Sequence, residues 1–179
     1  MYDARGFSLL EVLVALAILA AAVWSIAQVS VYTARSSEVA RRLTLGAELA
    51  ADKLNQLRSL AWSIDDSGLP TADLETDLTV YPERPSGGTG LRSSPPDALD
   101  RNTPGYCDFL DAHGRSLGGG VAPPGGASFV RRWSVTRLAV SPTNALLLQV
   151  RLLSPDASRR GGPDAVTVTL TTVRARLAP

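Results

Sequence analysis

The sequence predicts an α+β chain: one long N-terminal α-helix, membrane-spanning in its first half, packed by its second half against a C-terminal antiparallel β-sheet. Three observations carry that prediction. Residues 12–34 contain no charged side chain, with Glu11 ahead of them and Arg35 behind. Small and apolar residues then recur at steps of three and four as far as Ala61, with no proline between Phe7 and Leu69. The C-terminal third holds three segments rich in Val, Leu and Thr, separated by Pro, Asn, Gly and Asp, which is the composition of half-buried strands and their turns.

The first element follows from length and charge. At about 1.5 Å per residue the uncharged run forms a helix long enough to cross a hydrocarbon core of roughly 30 Å. A carboxylate at its head costs about 2.5 to 3.5 kcal/mol to insert, so Glu11 calls for a cation or a change of protonation. The polar segment Met1–Gly6 holds Asp3 and Arg5 and ends in a Gly directly before Phe7. That order is inverted relative to a secretory signal peptide, whose small-residue cleavage site follows the apolar stretch.

Residues Gly6-Phe7-Ser8-Leu9-Leu10-Glu11, with the apolar run behind them, resemble the class III signal of type IV pilins and pseudopilins. The resemblance implies a leader, residues 1–6, cut by a prepilin peptidase between Gly6 and Phe7. It implies N-methylation of Phe7 and makes Glu11 the fifth residue of the processed chain. It also supplies the missing cation, since the glutamate in these proteins pairs with the N-terminal amine of an adjacent subunit as a protomer docks into the filament. Removing one partner of such a buried pair costs about 3 to 5 kcal/mol, which makes Glu11 an assembly and register determinant. The alternative is an acid near the membrane interface that snorkels to water.

Residues 7–34 are thus expected to form the transmembrane and filament-core half of the helix, and residues 35–62 its amphipathic half. In the latter, Val39, Leu43, Gly46, Ala50, Leu54, Leu57 and Ala61 share a face, while Arg42, Glu48, Asp52, Lys53 and Gln56 fall elsewhere. A coiled-coil stalk is the alternative; in type IV pilins a sheet covers this half. Residues 63–128 lose periodicity and gain Pro, Gly, Ser and Asp, so they read as a variable loop region. The apolar islands Leu78–Tyr81 and Tyr106–Leu110 are candidate strands, the second followed by a turn at Asp111–Gly114. In pilins the corresponding region is variable and exposed, which makes it the expected seat of partner specificity.

Residues 129–179 read as the antiparallel sheet of a globular head, with strands at Phe129–Val140, Leu146–Leu153 and Ala165–Arg176. Leu146, Leu148, Val150 and Leu152 point one way and Gln149 and Arg151 the other; Val166, Val168 and Leu170 oppose Thr167, Thr169 and Thr171. One apolar face per strand implies a half-solvated sheet laid on the helix. The segment Phe129–Val135, Phe-Val-Arg-Arg-Trp-Ser-Val, resembles a strand common in minor pilins and pseudopilins.

Little in the sequence points to catalysis, and no enzyme activity, cofactor or metal is expected. His113 is the single histidine and stands between turn residues. Asp97, Asp100, Asp108, Asp111, Asp156 and Asp164 match no calcium-loop spacing. Cys107, the single cysteine, cannot close an intramolecular disulfide, a departure from many type IV pilins. It reads as a small buried apolar residue, with intermolecular pairing or lipid attachment as the alternative. A net charge of +1 gives no bulk electrostatic case for nucleic acid. Arg131, Arg132, Arg137, Arg151, Arg159, Arg160, Arg174 and Arg176 would contact DNA phosphates if gathered on one exposed face, but an ordinary solvated strand face is the preferred reading.

The run Leu9–Leu19 resembles minor pilins of the PilV type and the I-type pseudopilins of type II secretion, and Gln28 stands where major pilins usually carry proline. The resemblance implies a minor, low-abundance type IV pilin that primes or caps the pilus and supports twitching motility, adhesion or DNA uptake. Its partners would be the prepilin peptidase, other major and minor pilins in a hetero-oligomeric filament, an inner-membrane assembly platform and, before assembly, membrane lipid. It would sit in the bacterial inner membrane as a single-pass protein with its head outside the cytoplasm, and afterwards in a periplasmic or cell-surface pilus. The alternatives are a minor pseudopilin of type II secretion and, from another class, a single-span membrane-anchored sensor or binding protein.

Overall fold

The structure is a computed structural model that describes residues 8–154 and 167–176. Gly6, Phe7, Asp156, Arg159, Arg160, Asp164, Ala165 and Val166 lie outside the described residues, as does the Thr167 side chain. The chain divides into two compact units, Met1–Arg41 and Arg42–Pro179. Helix α1, Leu9–Ser59, occupies the described part of the first and continues into the second.

In the first unit every residue from Leu9 to Arg41 is helical and exposed, the apolar ones included. A helix apolar on all sides belongs in lipid or among other helices, not in water. The hydroxyls of Ser25, Ser30 and Thr33 each donate to the carbonyl four residues back at 2.9 Å, so they carry no unsatisfied donor into that environment. Among the described residues, α1 is the one helix long and apolar enough to cross a membrane.

In the second unit the helix buries Gly46, Leu49, Ala50, Lys53 and Leu57. This corrects the expected face: Val39 and Leu43 are exposed, and Lys53 is inside. The helix stops at Ser59, short of the expected Trp62, because Trp62 opens a hairpin. Strand β1, Trp62–Ile64, pairs with β2, Pro70–Ala72. Asp65 closes the turn between them by accepting from the backbone amides of Ser67 and Leu69, and Gly68 supplies the positive φ of 79° that the turn requires.

The main sheet has four antiparallel strands in the order β3-β4-β5-β6: Cys107–Leu110, Phe129–Arg137, Ala145–Leu153 and Thr167–Ala175. Trp133 pairs with Val150, and Val150 with Leu170, so the apolar sides of the strands align on the helix face. Leu146, Leu148, Val150 and Leu152 are buried there as expected, each burial contributing about 1.5 to 3 kcal/mol. The helix face is therefore covered by its own sheet, not by a coiled-coil partner. The architecture is α+β and pilin-like.

Two expectations for the head are corrected. Leu78–Tyr81 is not a strand, whereas Cys107–Leu110 is, followed by the expected turn. The sheet is also not half-solvated throughout, since β4 is buried on both faces from Phe129 to Val135. On the side away from the helix, Cys107, Phe109 and Val130 form a second small core. It lies beside residues 117–120: Leu117 N–H donates to Phe109 O at 2.8 Å, and Phe109 N–H to Gly118 O at 2.9 Å. A Cβ on Gly119 would stand 2.6 Å from Thr79 Cβ and 2.7 Å from Cys107 O, so only glycine allows this approach. The Pro- and Gly-rich region is thus built onto the sheet.

Candidate functional site

Ser8 precedes the first helical residue, and Glu11 stands three positions later, the spacing of a capping box. The Ser8 backbone N–H donates to Glu11 Oε2 at 3.3 Å. The carboxylate therefore satisfies one of the amide donors that every helix N-terminus leaves unpaired, and its charge complements the positive end of the helix dipole. Sequence reasoning treated Glu11 only as a charge in search of a partner; the Ser-x-x-Glu spacing was the signal for this second, local role. Glu11 is exposed, at the start of a helix whose following turns present apolar side chains on all sides. Phe7 lies outside the described residues, so the geometry here is that of Glu11 and its cap.

In the head, the charged residues cluster in a way that the sequence did not reveal. Asp108 on β3 accepts from Arg131 on β4 at two points, Nε at 2.9 Å and a terminal nitrogen at 2.6 Å. Lys53 Nζ lies 3.0 Å from Asp108 Oδ2, donates to Leu78 O at 2.5 Å and stands 4.7 Å from the centre of the Trp133 ring. Arg131 also donates to Leu49 O on the helix at 2.7 Å. Burial outweighs the attraction of Asp108 and lowers the Lys53 pKa from 10.5 to about 8.

Among the described arginines of the C-terminal third Arg137 is exposed, but the others do not form the solvated face expected of them. Arg131 and Arg132 are each only 6% exposed. Arg132 holds the 99–102 segment through Asp100 O at 2.6 Å and Asn102 Oδ1 at 2.9 Å, and Arg151 adds Asp100 Oδ1 at 2.8 Å. Arg174 reaches from β6 to the end of the helix, donating to Leu57 O at 3.0 Å and Leu60 O at 2.6 Å. It satisfies carbonyls that the helix C-terminus leaves open. Arg176 donates to Ser63 O and Thr71 O and stacks 3.5 Å from the centre of the Trp62 ring.

Cys107 is fully buried, its thiol donating to Gly120 O at 2.9 Å, and burial raises its pKa. His113 is exposed in the turn after β3, where its backbone N–H donates to Asp111 Oδ1 at 2.8 Å. No group of three or more metal-ligating side chains occurs among the described residues. Asp108 is an ion-pair partner and Asp111 a turn-former.

Residues 1–27 match the family described as the prokaryotic N-terminal methylation motif. The N-terminus is thus of the prepilin type found in type IV pilins and pseudopilins, proteins that are structural and not catalytic. Such a motif implies processing by a prepilin peptidase and assembly with other pilins. No curated protein and no solved structure matches the chain.

Proposed function

We propose that this chain is a minor type IV pilin, a low-abundance structural subunit without catalytic activity that primes or caps a filament. Prepilin peptidase cuts between Gly6 and Phe7, Phe7 is N-methylated, and the new amine of one subunit pairs with Glu11 of the next. The observation that carries the reading is an exposed carboxylate at the head of a helix apolar on all sides, within residues that match the methylation motif. Two charges that are each costly in lipid become tolerable when brought together. The head sits outside the cytoplasm, anchored in the inner membrane until the assembly platform transfers the subunit into the pilus.

Two substitutions separate docking from capping. Glu11→Gln keeps an oxygen acceptor for the Ser8 amide and removes the charge, whereas Glu11→Val removes both. Both variants are expected to be inserted and cleaved, and both to be depleted from sheared filaments. Normal incorporation of Glu11→Gln would overturn the charge-pairing mechanism. Because the motif is common to pilins and pseudopilins, a minor pseudopilin of type II secretion is the second reading. Deletion separates the two, with loss of piliation, twitching or DNA uptake supporting the first and loss of exoprotein release supporting the second.

A further inference from the structure

Where the β1–β2 hairpin meets the turn between β4 and β5, the head carries a cleft of about 390 Å³. Its walls include the apolar side chains of Trp62, Leu91 and Leu146 and three guanidinium groups, those of Arg92, Arg137 and Arg176. The ion pairs of the described residues leave all three without a carboxylate, whereas Arg101, Arg131 and Arg151 elsewhere in the head each have one. Arg137 and Arg176 reach the same turn, donating to Pro142 O and Thr143 O, so two like charges stand close together here; Arg176 is held by backbone carbonyls and the Trp62 ring, and neither has a carboxylate. The surroundings are apolar. Leu74, on the cleft wall, is 41% exposed; Leu69, next to the lining residue Pro70, is 63% exposed; and Val140, in the turn whose Pro142 carbonyl accepts from Arg137, is 88% exposed. Exposed apolar side chains around cations that lack a carboxylate are the complement of a segment that carries acidic and apolar residues together.

We propose that this cleft docks an acidic segment of a neighbouring subunit, a carboxylate entering between Arg137 and Arg176 while an adjacent apolar side chain packs on Leu74. The assignment rests on the reading of the chain as a filament subunit. A nucleic-acid backbone is a poorer occupant. It needs a basic stripe that tracks successive phosphates, and beyond the cleft Arg131 and Arg132 are buried and Arg151 is paired with Asp100.

The test uses the full chain in detergent and fluorescence anisotropy of three labelled probes: a short peptide alternating Leu and Glu, its Leu and Gln counterpart, and a single-stranded oligonucleotide. The Leu-Glu peptide is expected to saturate, the Leu-Gln peptide to bind about fivefold more weakly or less, and the oligonucleotide not to displace the first. Arg137→Gln is expected to reduce Leu-Glu binding by a similar factor. Its side chain is exposed and makes one 3.5 Å hydrogen bond, so an unchanged thermal melt will show that the fold is retained. Absent saturation, equal binding of the two peptides, insensitivity to Arg137→Gln or displacement by the oligonucleotide would each overturn the proposal. Cleavage and filament incorporation are scored separately: a chain that is processed and incorporated but takes no peptide overturns the cleft alone. Selective, Arg137-dependent binding by a chain that is never processed overturns the filament reading instead.

Discussion

Lys53 on the helix and Asp108 on strand β3 meet at 3.0 Å, with each side chain only 1% exposed. Arg131 completes the cluster, so two buried cations share one carboxylate. The three side chains, with the Arg131 bond to the Leu49 carbonyl, tie the helix to the edge strand β3 and to its inner neighbour β4.

Removing the shared carboxylate leaves both cations buried and unpaired. Asp108→Ala is expected to cost about 3 to 5 kcal/mol in urea unfolding. Lys53→Met is expected to cost less than about 1.5 kcal/mol, because the Arg131–Asp108 pair stays balanced and a flexible apolar chain still packs on Trp133. Equal losses for the two variants would contradict the sharing of one carboxylate.

Lys53 also sets a pH dependence. Its folded pKa of about 8 lies below its ordinary 10.5, so between those values the unfolded chain holds more protons than the folded one. Stability contributed by this group therefore rises with pH across that window, by up to roughly 3 kcal/mol. Unfolding free energies of the native chain and Lys53→Met, measured from pH 7 to pH 10.5, are expected to diverge, the native chain gaining relative to the variant. Parallel curves would contradict the burial of a charged ammonium.

Arg174 caps the helix from a distant strand. Arg174→Leu strips hydrogen bonds from the Leu57 and Leu60 carbonyls and is expected to cost about 1 to 3 kcal/mol. Amide exchange in the last turn of α1 is expected to accelerate more than exchange in β5. Uniform acceleration would indicate general destabilisation instead.

Cys107 is expected to resist iodoacetamide in the native protein and to react fully in denaturant, since its thiol is buried and burial disfavours the thiolate. Mass spectrometry after a timed exposure reads the outcome, and rapid native labelling would contradict the packing of the second core.

The helix and the three long strands were legible because each follows from local pattern: an uncharged run and a period of two. Lys53 was misplaced even though it follows Ala50 by three and precedes Leu57 by four, an inward position. Its charge argued for the surface, and the compensating Asp108 lies too far along the chain for spacing to reveal. Residues 63–128 read as loop because their order is non-local. Ser94 N–H, for example, donates to Val135 O at 2.9 Å, a bond no window of sequence contains. Arg132 and Arg174 looked like solvent-facing cations for the same reason, as they bond carbonyls of distant segments.

The central claim is processing at the Gly6–Phe7 junction to expose an amine for Glu11. Intact-mass analysis of the chain, purified from a host with active prepilin peptidase, tests it directly. The expected species begins at Phe7, lacks Met1–Gly6 and carries one added methyl group; a chain that retains Met1–Gly6 under those conditions contradicts the claim.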